Sequence, residues 1–138
     1  MLKQRLLHPE ILYALASAGH GSKILITDGN YPANTKEGVS AETVYLNLLP
    51  GMVKVTDVLE AILTAVEIEE AFVMCPDSGE EPEIFKDFRK LLPHINLIKL
   101  NRFDFYDYAS SSETCLQIVT GDQRLYANIL LTIGVVKP

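Results

Sequence analysis

Several features that would settle a function outright are missing from this chain. It has no tryptophan and only two cysteines, Cys75 and Cys115, among 138 residues. They lie too far apart in sequence for a redox Cys-x-x-Cys or a local metal-ligand pair, and read as reduced thiols in a core. The three histidines, His8, His20 and His94, are scattered, so no metal site is expected. GxSxG, GxxxxGK, HExxH and GxGxxG are all absent, so no common nucleophile, phosphate-loop, zinc-protease or dinucleotide motif is in sight. Basic charge is scarce: 12 Lys and Arg face 18 Asp and Glu, a net charge of -6. Neither nucleic acid nor an anionic membrane surface is an expected partner. No apolar run approaches the ~20 residues of a membrane span. The first ten residues lack the sustained apolar stretch of a secretory signal, so a cytoplasmic location is expected.

What is present describes a folded domain. Hydrophobic residues make up 48% and charged residues 22%, which suits a packed core rather than disorder. The length is near the usual size of one domain, about 100–150 residues, and no linker or repeat interrupts it. We expect one domain over 1–138. Helical and strand patterns alternate along it. Pro9 opens a helix with Ile11, Leu12, Leu15, Ala16 and Ala18 on one face, and Gly19 is placed to stop it. Residues 23–27 form an apolar strand of the kind covered on both faces. Residues 28–38 are polar and turn-rich, and 43–49 form a second strand. Thr56 is placed to cap a helix carrying Val58, Leu59, Ile62, Leu63 and Val66. A strand follows over 71–75, then a helix opened by Pro82, a short strand over 96–100 and an aromatic helix over 102–109. Two more strands, 115–120 and 128–133, close the chain. The expected fold is an α/β layered domain: about six strands, mixed or mainly parallel, flanked by about four helices.

Four places can carry chemistry. His20 sits between two glycines in a turn, where an imidazole can move protons near neutral pH or simply face solvent. Asp28 follows a strand, the position at which open α/β sheets bind ligands, and equally one at which an Asx-turn begins. Arg102 lies at a strand end beside Phe103, Phe105 and Tyr106, aromatics that can wall a ligand or anchor a core. Tyr126 and Asn128 straddle Ala127 just before the last strand, with a phenol and an amide that can serve a polyhydroxylated ligand or merely a turn. Geometry adds a constraint. A strand rises ~3.3 Å per residue, which puts His20 and Asp28 on the order of 20 Å apart, at opposite ends of one strand. They cannot share a pocket within one subunit. Either one of them lies outside the site, or the site is built between subunits.

Taken in order, Gly19-His20-Gly21, Thr27-Asp28, Asn101-Arg102-Phe103 with Phe105-Tyr106, and Gly121 with Tyr126-Ala127-Asn128-Ile129-Leu130-Leu131, closing on Gly134-Val135, resemble the ribose pyranase/fucose mutarotase family over essentially the whole chain. The Asn-Arg-Phe-x-Phe-Tyr string is more similar to the fucose branch. The resemblance implies a cofactor-independent isomerase that interconverts cyclic forms of a free reducing monosaccharide. It implies His20 as proton donor with Tyr126 assisting, and Asp28, Arg102, Tyr126, Ala127 and Asn128 as sugar-binding positions. It also implies a ring-shaped homo-oligomer with sites near subunit boundaries.

Overall fold

The computed structural model describes all residues, Met1–Pro138. Four helices and six strands follow one another as α1 (Pro9–Ser17), β1 (Lys23–Thr27), β2 (Glu42–Tyr45), α2 (Val55–Ile62), β3 (Ile68–Met74), α3 (Ile84–Leu91), β4 (Leu97–Leu100), α4 (Arg102–Ala109), β5 (Thr114–Val119) and β6 (Ile129–Ile133). The strands form one mixed sheet in the order β2-β5-β1-β6-β3-β4. β6 runs antiparallel to its neighbours β1 and β3, whereas β1 with β5, β2 with β5 and β3 with β4 pair parallel. The start of β6 therefore lies at the same sheet edge as the ends of the other five strands. No helix is long and apolar enough to cross a membrane.

The apolar pattern explains the layering. Ile24 and Ile26 of β1 point to one face and pack with Ile11, Leu15, Val58, Leu59, Ile62, Phe85 and Phe88 of α1–α3. Leu25, between them, points to the other face and packs with Phe105, Tyr106 and Ala109 of α4 and with Tyr31 and Ala33 of the long loop. Alternate residues of one continuous apolar run thus feed two layers.

Two local expectations are corrected, and a third, Gly19 as the stop of α1, holds in position but not in backbone conformation. Thr56 does not cap α2. Lys54 takes that position, and the Asp57 carboxylate accepts its N–H at 3.0 Å while Asp122 accepts the Val55 N–H at 2.9 Å. Two carboxylates thus satisfy the helix start and suit its positive end. Gly19 follows α1, but the left-handed backbone falls on Gly21, at φ 84°. The second strand ends at Tyr45 rather than 49, because the chain turns back and the Leu48 and Leu49 N–H groups donate to the Met52 carbonyl.

Candidate functional site

Asp28 leaves the end of β1 and Asn128 enters the start of β6, two neighbouring strands of opposite direction. That brings together residues a hundred positions apart. The Asp28 N–H donates to Asn128 Oδ1 at 2.9 Å, and Asn128 Nδ2 donates back to Asp28 Oδ2 at 3.1 Å. The other carboxylate oxygen accepts the Asn30 N–H at 2.9 Å. Both side chains are buried, at 4% exposure each. Burial raises the Asp28 carboxyl above the ordinary carboxylate value. The donors from Asn30, Asn128 and Tyr31 pull the other way, and the nearby Asp122 charge adds slightly to the rise. The same side of the sheet holds Tyr31, whose ring meets Tyr106 edge-on with centroids 5.4 Å apart. The Tyr31 phenol is raised by burial and makes no hydrogen bond within the chain, and the buried Thr27 hydroxyl makes none either.

Tyr126 is half-buried against this second core. It is the one non-glycine residue with positive φ, at 60°. The Ala127 N–H donates to the Arg124 carbonyl at 3.4 Å, so Tyr126 is the third residue of a turn over 124–127. That place normally selects glycine or asparagine. Ala127 itself is fully buried. Tyr126 also borders a cleft of about 530 Å³ walled by Pro76, Glu81, Pro82 and Arg124. A second, polar cleft of about 370 Å³ opens beside Gly29, Asn30, Thr120 and Gly121. Arg102 starts α4, whose cap is the Asn101 side chain accepting the Asp104 N–H at 2.9 Å. Its Nε donates to the Tyr106 hydroxyl at 3.2 Å, and its guanidinium lies 5.6 Å from the ring centroids of Phe103 and Tyr106. Phe103 is exposed and Phe105 is fully buried, so the first is free to line a surface and the second is a core anchor.

His20 stands apart from all of these. It lies at the opposite end of β1, exposed, with Nε2 at 2.9 and 3.0 Å from the two oxygens of Glu69. Glu69 is there because β3 runs parallel to β1, so both strands begin at the same edge. Of the residues singled out in the sequence, Asp28 and Asn128 touch. Tyr126 packs against the second core, Arg102 reaches that core through the Tyr106 hydroxyl, and His20 does neither.

Sequence reasoning missed Glu69, Tyr31 and the Asp122–Arg124 pair. Arg124 donates to Asp122 through its backbone N–H and its guanidinium, and reaches Asp87 Oδ2 and the Thr56 hydroxyl, each at 3.1 Å. Burial opposes the Asp122 charge, but these donors and the Val55 N–H outweigh it and hold the carboxyl below its ordinary value. One signal was readable: three glutamates, Glu67, Glu69 and Glu70, at the mouth of an otherwise apolar strand.

Residues 1–136 match the RbsD / FucU transport protein family. Bacillus subtilis RbsD complexed with D-ribose superposes with a TM-score of 0.84 at 22% identity, covering 99% of this chain and 100% of the other. The fucose mutarotase of Streptococcus pneumoniae in complex with L-fucose gives 0.84 at 25% identity, with 99% and 100% covered. FucU from Bifidobacterium longum gives 0.80 at 29% identity, with 94% and 95% covered.

Proposed function

Because the chain belongs to the RbsD / FucU family, an isomerase family of sugar mutarotases and pyranases, we propose that it opens and recloses the ring of a free reducing monosaccharide, with L-fucose favoured over D-ribose. The observation that carries this reading is the buried Asp28–Asn128 pair at the carboxyl edge of the sheet, beside Tyr126. A cyclic sugar is a hemiacetal. Opening it removes a proton from the anomeric hydroxyl and delivers one to the ring oxygen, and reclosure on the other carbonyl face gives the other anomer. The step needs positioned hydrogen-bonding groups and a proton carrier. Asp28 and Asn128 accept from and donate to ring hydroxyls, and Arg102 donates from the rim. The Tyr126 phenol relays the proton of the anomeric hydroxyl.

His20 is the acid at the ring oxygen. Glu69 holds its Nε2, which leaves Nδ1 as the ring atom that meets the sugar. Since His20 and Asp28 lie at opposite ends of β1, the site takes His20 from a second copy of the chain, and the protein works as a homo-oligomer. The preference for fucose rests on the Asn101-Arg102-Phe103 string ahead of Phe105-Tyr106. There the exposed Phe103 offers an apolar spot to a sugar carrying a methyl in place of a terminal hydroxyl.

Saturation-transfer proton NMR tests the reading, with L-fucose and D-ribose in parallel. Faster α–β exchange of fucose supports it. Acceleration of ribose pyranose–furanose exchange alone assigns the protein to the pyranase side. Sugar binding without faster exchange of either overturns catalysis and leaves a binding module.

A further inference from the structure

Tyr126 holds a backbone conformation that a tyrosine does not choose by itself. A non-glycine residue in the left-handed region persists only where its surroundings over-determine it. The exit of its turn is fixed by the site, since Asn128 is tied to Asp28 by two hydrogen bonds. The entry is fixed by something the sugar chemistry does not call for. Arg124, first residue of the turn, donates its N–H to Asp122 Oδ1 at 3.0 Å and chelates the same carboxylate through Nε and an η nitrogen. Its guanidinium also reaches Asp87 on α3 and Thr56 on α2. Asp122 in turn accepts the Val55 N–H at the start of α2. One step earlier, Gly121 is wedged so closely that a Cβ there would collide with the Leu49 and Met52 carbonyls. A planar guanidinium forked onto one carboxylate and spread over two helices is a rigid brace rather than a solvated surface pair.

We propose that Arg124, with Asp122, is a positioning residue for the reaction: it clamps the entry of the 124–127 turn to α2 and α3 and so holds the Tyr126 phenol where the sugar needs it. The proposal rests on the sugar reading for its catalytic consequence, but the clamp itself is a property of the fold. Arg124 then acts through Tyr126 alone. Its loss lowers kcat while leaving KM nearly unchanged, because Asp28 and Asn128 still hold the sugar. A displacement on the order of 1 Å in a catalytic group costs up to about 100-fold.

The test uses the full chain as wild type, Arg124→Ala, Arg124→Lys, Tyr126→Phe and the Arg124→Ala/Tyr126→Phe double variant. Amide hydrogen exchange reads the clamp, and saturation transfer over a range of sugar concentrations reads kcat and KM. In Arg124→Ala we expect the Ala127 amide to exchange at least about 10-fold faster while the amides of β1 and β6 stay protected. We expect kcat to fall about 10–100-fold, KM to change by less than about 3-fold, and Arg124→Lys to recover only part of the rate. In the Tyr126→Phe background, the Arg124→Ala change should cost nothing further, the non-additivity of two residues that act as one. An unaltered Ala127 amide overturns the clamp. A loosened turn with unaltered kcat, or full additivity with Tyr126→Phe, overturns the positioning role. A wild-type protein that accelerates no sugar exchange overturns the sugar reading and with it the catalytic half of the proposal, while the amide measurement still decides the clamp.

Discussion

Asp28 is pulled in two directions, and the balance can be measured. Burial makes its charged form costly, and three donors only partly offset this, so its folded pKa lies above the ordinary 3.8. In the window between 3.8 and the raised folded value the native state binds more protons than the unfolded state. Stability contributed by this group therefore falls as pH rises through that window and is level above it. Asp28→Asn removes the titration. The melting temperature of the variant relative to wild type should rise between about pH 4 and the raised value, then stay flat. The same substitution should weaken sugar binding at neutral pH, read by titration calorimetry. His20→Ala should leave melting within about 0.5 kcal/mol of wild type, since the side chain is exposed, yet lower the exchange rate by about 10²–10⁴-fold. Both positions were singled out in the sequence, His20 from its glycine neighbours and Asp28 from its place after an apolar run. Their partners were less so. Glu69 and Asn128 meet them across neighbouring strands, and only strand order brings such positions together.

At the scale of elements, α4 and the segment 120–128 carry the candidate site. α4 buries Phe105, Tyr106 and Ala109 and is the only helix packed into the second core. Phe105→Ala should cost roughly 3–5 kcal/mol, the usual range for an emptied aromatic core position, read by denaturant unfolding. It should also raise KM, because Tyr31, beside Asp28, loses the ring it meets edge-on. Asp122→Ala should cost about 1–3 kcal/mol by leaving the Val55 N–H without its partner and the Arg124 guanidinium with Asp87 and Thr56 alone. Because the Asp122 pKa is held down, its contribution is present above pH 3.8 and lost as pH falls below it. The wild-type and Asp122→Ala melting curves should therefore converge in acid. The elements themselves were largely readable. β1 and α4 fall where apolar runs and aromatic spacing put them, since those signals are local. The cap of α2 was misread for a physical reason: Asp122, 67 residues from Val55 in sequence, supplies one of its carboxylates, and no local window contains both.

At the scale of the molecule, a single reversed strand decides what the sheet can do. Because β6 runs against its neighbours, Tyr126 and Asn128 at its start come to the edge that holds Asp28 and Arg102, while His20 and Glu69 stand at the other. The sequence suggested six strands and a strand-length separation between His20 and Asp28. It did not show that β6 is inserted between β1 and β3, because strand order depends on contacts throughout the chain. A sugar served by both edges requires two copies, so sedimentation of the intact protein should show an assembly larger than one 15.3 kDa chain. The direct measurement is complementation. His20→Ala and Tyr126→Phe chains, each strongly impaired alone, are co-expressed with different tags, purified as mixed assemblies and assayed by saturation transfer with L-fucose. Sites shared between copies predict recovery of roughly a quarter of the wild-type rate from random pairing of the two chains. A mixed assembly no more active than either parent, from a wild-type protein that does accelerate the exchange, would contradict a site built from opposite ends of the same strand in two subunits.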